Sequence, residues 1–337
     1  MSYIVTDKYS EIDLLKWGEF VHAHPKGTVF QTPEMYECYL HSGGCPHVIV
    51  VMENKNIVGI LLSVLLKEKG RFKGYLSSRS IIIGGPIVLN DNKHIVEILL
   101  SEYDVYINGK VIYTQIRNLS EQLNNCDIYR NHGYIYKPHL NFIIKLDTEK
   151  NIWERIGKGR LKQIKKAQKN NLYVDVYQGD DITEELVAQG YRIIKDVYSR
   201  ANLPLTNIML IQEANKQGLL VLFVVRNSQG EMLGCRFGLR FNNTMYGWYA
   251  GSYVKYYKLF PNDILIWETL KWCCLNGYRT FDYGGAGNPN EAYGVRDFKS
   301  QMGGMLVNYG RFEKCHKQLI MCIAKIGYKV YRTIFKL

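Results

Sequence analysis

Apolar and polar positions follow two different periods along the chain. Apolar residues at helical spacing predict helices at 12–21, 33–41, 93–106, 119–132, 186–199 and 263–275. Runs of aliphatic, β-branched and aromatic residues predict strands at 47–52, 56–66, 80–88, 111–116, 134–146, 219–225, 232–241, 244–249 and 278–283. Each half of the chain therefore follows the order hairpin, strand, helix, strand. This repeated order of elements predicts a duplicated α/β unit.

The candidate chemistry lies in the stretch 278–304. Its strand ends in a glycine-rich segment that includes Gly284 and Gly285, and Phe298 and Lys299 follow before another apolar run. Glycines let a ligand approach the backbone closely. A single lysine beside such a glycine-rich segment can bind a phosphate or stabilise a developing oxyanion. The alternative is an ordinary turn with a solvated lysine. Lys299 and Phe298 are the candidate catalytic residues, and Gly284 and Gly285 are candidate substrate contacts.

Three stretches resemble motifs of the Fem family. They are F-D-Y-G-G followed by a variable loop and G-V-x-x-F-K-x-x-x-G-G at 281–304, a basic helix at 160–170, and Phe-Gln-Thr-Pro at 30–33. Fem enzymes are non-ribosomal aminoacyltransferases that build peptidoglycan cross-bridges. The three matches together span most of the chain, and their order and spacing are more specific than any one of them.

The resemblance also implies the fold class and the domain limits. It implies an α/β (α+β) protein of two tandem GNAT-like domains, in which mixed sheets are flanked by helices. The expected first domain is 1–147 plus a returning C-terminal segment, 312–337. The expected second domain is 148–311, which carries the F-D-Y-G-G signature. A chain of 337 residues is long enough for two domains.

The charge of the chain indicates an anionic partner. The formal net charge is +12, and the segment 158–169 carries six basic residues and no acidic one. These charges cannot pair with each other at i,i+4 spacing along a helix. The basic segment therefore has two interpretations: it contacts a polyanion, or it is an ordinary solvated helix face. Lys162, Lys165 and Lys166 are the candidate contacts for tRNA.

Four further residues are candidate substrate contacts. Arg200 follows a predicted helix, where a cation can simply stabilise the helix dipole; the Fem resemblance implies that it contacts the pyrophosphate of a sugar-nucleotide acceptor. Trp248 and Tyr249 lie on a predicted strand and face opposite sides of it, toward a cleft or the core. Asp282 is a candidate general base or a cap for neighbouring N–H groups. It ranks below Lys299, because aminolysis of an activated ester needs mainly positioning and oxyanion stabilisation.

No cofactor and no metal are expected. The eight cysteines include no C-x-x-C spacing, and no set of metal ligands is visible. The segment 256–262, which would cradle the pyrophosphate of CoA, contains no glycine, and Pro86 in the first half lacks an N–H donor. An acyl donor carried by tRNA is therefore expected. The N-terminus lacks the apolar core of a signal peptide and no apolar run could span a bilayer, so a cytoplasmic location is expected.

These observations predict a monomeric N-acyltransferase that moves an amino acid from aminoacyl-tRNA to an amine of a UDP-linked or lipid-linked muropeptide. One alternative is an N-acyltransferase with a CoA or carrier-protein thioester donor that acts on a nucleotide sugar or surface polysaccharide. Another is a non-catalytic RNA- or membrane-surface-binding protein on a degenerate GNAT scaffold. The stretch 318–337 combines an apolar stripe with Lys325, Lys329, Arg332 and Lys336. It predicts docking on the first domain and peripheral contact with anionic lipid.

Overall fold

The computed structural model describes residues 3–68, 70–201, 203 and 205–321. The chain divides into two compact units, one formed by 1–138 with 309–337 and the other by 139–308. The predicted lipid-contacting residues Lys325, Lys329, Arg332 and Lys336 lie outside the described residues.

The predicted strands and helices occur in the predicted order, and further short elements lie between them. The strands are β1 (Ile4–Thr6), β2 (Cys45–Glu53), β3 (Asn56–Leu66), β4 (Arg79–Ile83), β5 (Ile87–Val88), β6 (Tyr113–Arg117), β7 (Ile135–Lys137), β8 (Leu140–Lys145), β9 (Tyr173–Gln178), β10 (Leu220–Arg226), β11 (Met232–Phe241), β12 (Thr244–Ser252), β13 (Thr280–Gly285), β14 (Met305–Asn308) and β15 (Arg311–Cys315). The helices are α1 (Leu14–Ala23), α2 (Pro33–His41), α3 (Arg71–Leu76), α4 (Lys93–Ile107), α5 (Cys126–Asn131), α6 (Glu149–Arg155), α7 (Lys158–Lys169), α8 (Glu184–Arg200), α9 (Ile208–Lys216), α10 (Pro261–Leu275) and α11 (Gly294–Ser300). Within the described ranges, no helix is long and apolar enough to cross a membrane.

Each unit is built on one mixed sheet. The first has the strand order β1-β2-β3-β4-β6-β15-β7, with β5 beside β3, and the second has the order β14-β8-β13-β12-β11-β10-β9. The parallel pairs are β4 with β6 and β12 with β13, and a helix, α4 or α10, connects the two strands of each pair. The same hairpin, strand, helix and strand thus recur in both units. The predicted α/β class and the duplication of the unit are confirmed.

The single strand predicted at 134–146 is wrong. The structure has two strands there, β7 and β8, and they belong to different sheets: β7 pairs with β15, whereas β8 pairs with β13 and β14. Pro138 lies between them and has no N–H to donate to a ladder, which favours a break at this point. The second unit accordingly begins at residue 139, before the expected domain limit at 147.

The crossover helices carry much of the apolar core of their units. In the first unit, Leu99 and Tyr103 of α4 are fully buried together with Ile49 and Leu61 of the sheet. In the second unit, α10 is buried on most of its surface, because it packs against α6, α7 and several strands. Trp267 of α10 meets Trp153 of α6 edge to face, with ring centroids 4.6 Å apart. This burial holds α10 in a fixed position against its unit.

The Phe-Gln-Thr-Pro motif has a structural role in the first unit. The Gln31 side chain is completely buried, and its Oε1 accepts hydrogen bonds of 2.8 Å from the N–H and the hydroxyl of Thr28. Its Nε2 donates to the carbonyl of Gly85 at 2.9 Å, and the indole N–H of Trp17 donates to the Gln31 carbonyl at 2.7 Å. A Cβ at Gly84 would lie 2.7 Å from Nε2, so glycine is required there. Gln31 thus ties the turn before α2 to the break between β4 and β5.

We predict that Gln31→Leu destabilises the protein by about 2–3 kcal/mol, because it leaves buried N–H and carbonyl groups without partners. The measurement is the midpoint of urea unfolding, followed by far-UV circular dichroism. Gln168→Leu is the control: this glutamine is exposed on α7, so its replacement should shift the midpoint little. An unfolding midpoint for Gln31→Leu equal to that of the unmodified protein would contradict the structural role.

Candidate active site

The second sheet opens between β12 and β13. The two strands pair with each other only over Thr244–Tyr246 and Thr280–Asp282. Beyond these residues β12 runs on to Ser252 paired only with β11, and β13 runs on to Gly285 paired only with β8. A register shift between β11 and β12 opposite Gly247 and Tyr249 leaves Trp248 as an extra residue. The opening therefore forms where backbone groups lose their strand partners, and such groups need other partners.

Lys299 of α11 supplies donors to this opening. Its ammonium donates to the carbonyls of Tyr283 and Gly285, at 2.5 and 2.9 Å, and lies 4.8 Å from the centroid of the Tyr283 ring. Gly284 between them has a φ of 76°, a left-handed conformation that favours glycine. The structure thus brings together three of the predicted residues, Lys299, Gly284 and Gly285.

Asp282 is a buried neighbour of Lys299. Its side chain is 6% exposed, and its Oδ1 accepts a hydrogen bond of 2.8 Å from the N–H of Gly284. Burial raises the pKa of Asp282 to about 6, against the opposing effects of that hydrogen bond and of Lys299. Burial and the nearby Arg236 lower the pKa of Lys299 to about 7, while Asp282 opposes the fall. Both groups therefore titrate close to neutral pH, which is a common property of catalytic sites.

Arg236 is a site residue that the sequence analysis missed. It lies on β11 with 4% of its surface exposed, and its guanidinium carbon is 5.5 Å from the ring centroid of Phe281 and 5.1 Å from that of Tyr283. It crosses β12 at Gly247, where a Cβ would lie 3.1 Å from its Nη1. Within the described ranges its Nε has no hydrogen-bond partner. The available signal was a charged residue inside a strand that is apolar apart from Arg236 and the exposed Arg240 near its end.

Phe298 packs against the basic helix. The guanidinium of Arg160 on α7 lies 4.5 Å from the centroid of the Phe298 ring, and it also donates to Gln301 at 2.9 Å and forms an ion pair with buried Asp263 at 3.2 Å. Burial raises the pKa of Asp263, whereas Arg160 lowers it. Phe298 therefore joins α11 to α7 and α10. The predicted contact of Phe298 with the donor stays a prediction.

The aromatic residues of β12 contact one another. The ring centroids of Trp248 and Tyr249 are 5.0 Å apart, and Tyr249 meets Tyr198 of α8 at 5.5 Å. The bulge at Trp248 interrupts the regular alternation of faces that the strand pattern predicted. Both residues are half-buried, so part of each ring is accessible at the separated end of β12.

The remaining predicted residues lie on a different part of the second unit. Arg200, at the end of α8, bonds with Tyr257 and with Asp196, and these contacts raise the pKa of its guanidinium. The three predicted tRNA contacts are exposed on α7: Lys162, Lys165 and Lys166. The ammonium of Lys165 lies 6.0 Å from the Trp153 ring, and that of Lys166 lies 5.7 Å from the Phe260 ring.

Comparisons with known proteins agree with this architecture. Residues 182–300 match the family described as the acetyltransferase (GNAT) domain. The structure of FemX is similar to this chain with a TM-score of 0.72 and 15% identity, covering 96% of this chain and 99% of FemX. L-PGS from Bacillus licheniformis (TM-score 0.59, 13% identity) covers 93% of this chain, with 96% of its own length matched. A tandem GNAT protein from the clavulanic acid biosynthesis pathway (TM-score 0.59, 7% identity) covers 94%, with 99% of its own length matched.

No curated protein matches the sequence. At identities this low, the structural likenesses establish the fold, and the chain has a Fem-like tandem GNAT fold. The GNAT domain also supports the assignment of the chain to the acyltransferases.

We predict that the pKa of Lys299 responds in opposite directions to its two charged neighbours. Arg236→Met removes a cation and should raise that pKa above about 7, whereas Asp282→Asn removes an anion and should lower it. Arg236→Lys keeps the charge and should change the pKa least. The measurement is a pH titration by NMR of protein with isotope-labelled lysine. A Lys299 that titrates near the ordinary lysine value of about 10.4 in the unmodified protein would contradict the site electrostatics.

Proposed function

We propose that the protein is an N-acyltransferase that moves an amino acid from aminoacyl-tRNA to an amine of a UDP-linked or lipid-linked peptidoglycan precursor. The observation that carries the proposal is the Lys299 ammonium, which is fixed on the Tyr283 and Gly285 carbonyls beside buried Asp282. The F-D-Y-G-G and F-K residues that resemble Fem enzymes are the residues that build this group. Their place in a GNAT domain supports acyl transfer.

The proposed reaction is aminolysis of an ester. The acceptor nitrogen attacks the aminoacyl carbonyl and forms a C–N bond, and the C–O bond to the tRNA ribose then breaks. Negative charge builds on the carbonyl oxygen during the attack, and the Lys299 ammonium is the donor that stabilises it. With a pKa of about 7, Lys299 can also give a proton to the departing ribose oxygen and regain one from the attacking amine.

Two other groups assist Lys299 in this proposal. Asp282 balances the positive charge and, through its bond with the N–H of Gly284, fixes the backbone that carries the lysine's acceptors. Arg236 adds a second cation behind the ammonium, which favours a site that accepts developing negative charge. The mechanism needs no metal and no cofactor.

An acyl thioester is the alternative donor. It is favoured by the match of residues 182–300 to a family described as acetyltransferases. The turn before α10, at Tyr256 to Phe260, is where such a donor's pyrophosphate would need backbone N–H groups. This turn has no glycine and carries the side chain of Lys258 instead. A non-catalytic scaffold is less well supported, because it has no need to bury Asp282 next to a lysine.

We predict that Lys299→Met lowers turnover about 10²-fold or more, the scale expected for the loss of one oxyanion donor. Lys195→Met is the matched control, because Lys195 is exposed on α8 of the same unit. Both variants should keep the far-UV circular dichroism spectrum of the unmodified protein. Full activity of Lys299→Met would remove this lysine from the mechanism.

We also predict that neither CoA nor acetyl-CoA raises the melting temperature. A ligand at 100 times its Kd stabilises the native state by about 2.7 kcal/mol, which a thermal-shift assay detects readily. A clear upward shift with acetyl-CoA would refute the tRNA donor and favour the thioester alternative.

A further inference from the structure

A basic depression lies in the second unit between the end of α7 and the turn before α10. Its volume is about 670 Å³, which is within the range of sites that hold a nucleotide-sized ligand. Its walls are formed by Lys166, Lys169, Asn170, Tyr257, Lys258 and Phe260. Its lining residues do not include Lys299 or Asp282.

The charge of the basic depression has no acidic counterpart in the described part of the chain. Lys166, Lys169 and Lys258 are exposed, and no ion pair to any of them is found among the described residues. The contact of Arg200 with Tyr257 places a further cation against the wall. Several cations of one sign around a concave surface attract a polyanion.

The aromatic ring of Phe260 lies close to the lysines of the basic depression. The Lys166 ammonium is 5.7 Å from the centroid of the Phe260 ring. Phe260 has φ 59° and ψ 45°, a left-handed conformation that bulky residues rarely adopt, and Pro261 follows it at the start of α10. Contacts of the ring offset this strain: it packs partly against the apolar core of the second unit, and its half-buried side chain also lines the basic depression.

The equivalent turn of the first unit differs in charge. It precedes α4 and contains Asn90 and Asp91, which are also left-handed. There the ammonium of Lys26 forms an ion pair of 2.5 Å with Asp91. The duplicated fold thus places a depression beside the same turn in both units, but only that of the second unit keeps its lysines without acidic partners in the described residues.

We propose that the basic depression binds the single-stranded 3′ end of an RNA, with Lys166, Lys169 and Lys258 on its phosphates and Phe260 stacked on a base. The proposal rests on the function proposed above, in which the acyl donor is tRNA. Lysines that neutralise phosphates and aromatic rings that stack on bases are the two recurring elements of single-strand binding. A nucleotide diphosphate would offer the same chemistry, and the test separates the two sources.

The first test measures binding of a fluorescent RNA hairpin with a single-stranded 3′ extension to the full chain. The test variant is Lys166→Gln/Lys169→Gln/Lys258→Gln. The matched control is Lys145→Gln/Lys195→Gln/Lys216→Gln, whose lysines are exposed elsewhere in the same unit, so both variants lose three charges from +12. We expect the test variant alone to lose about 10-fold or more in affinity, with a salt slope smaller by about 2. Equal losses in both variants would overturn the proposal.

The second test separates stacking from folding. Phe260→Gly removes the ring and its packing against the core, while glycine suits the left-handed backbone. These effects on stability oppose each other, so binding is measured at a temperature at which the variant keeps the far-UV circular dichroism spectrum of the unmodified protein. Affinity for the hairpin should fall about 5-fold or more, the lower end of the effect of losing one stacked base. Unchanged affinity would show that the ring has no role in binding.

Competition identifies the source of the phosphates. A blunt hairpin and UDP-N-acetylglucosamine should each displace the probe at much higher concentration than an unlabelled hairpin with the 3′ extension. Displacement by the nucleotide sugar at lower concentration than by RNA would overturn the proposal. These assays use uncharged RNA, so they are independent of acyl transfer. If RNA binds to a different surface of the protein, only the proposed RNA site is refuted. If RNA binds in the basic depression but no acyl transfer is found, only the proposed function is refuted.

Discussion

The candidate site depends on the separation of β12 from β13 after three paired residues. A sheet that opens in this way removes the neighbouring strand from one side of β12 and of β13, and buried backbone groups on those sides need another partner. Lys299 is that partner for Tyr283 and Gly285. The lysine therefore has a structural reason to lie at the opening. Its charge becomes available for chemistry at the same place.

The charges around the opening suit a reaction that develops negative charge. Arg236 and Lys299 are cations and Asp282 is the carboxylate near them. Burial displaces the pKa values of Lys299 and Asp282 toward neutrality, so these two groups can change their charge near neutral pH. Glycine at position 247 makes this arrangement possible, since a Cβ there would lie 2.9 Å from the Phe281 ring and 3.1 Å from Nη1 of Arg236.

Much of the fold followed from the sequence because the apolar periods are strong and local. The limits of α2, for example, are those predicted from Pro33 and the following polar segment. The apolar run at 134–146 was misleading, because strands of two different sheets have the same composition. Lys299, Asp282 and the glycines lie within one segment and could be found together. Arg236 and Arg160 reach the site from β11 and α7 through strand register and helix packing, which no motif near Lys299 in the sequence indicates.

The central claim is that the opening in the second sheet transfers an aminoacyl group. The most direct measurement is the mass of the acceptor after incubation of the full chain with a charged tRNA pool and a UDP-linked muropeptide, with a panel of acyl-CoA donors in parallel. The account predicts an acceptor heavier by one amino-acid residue in the tRNA reaction. An acceptor modified only in the acyl-CoA reactions would contradict it.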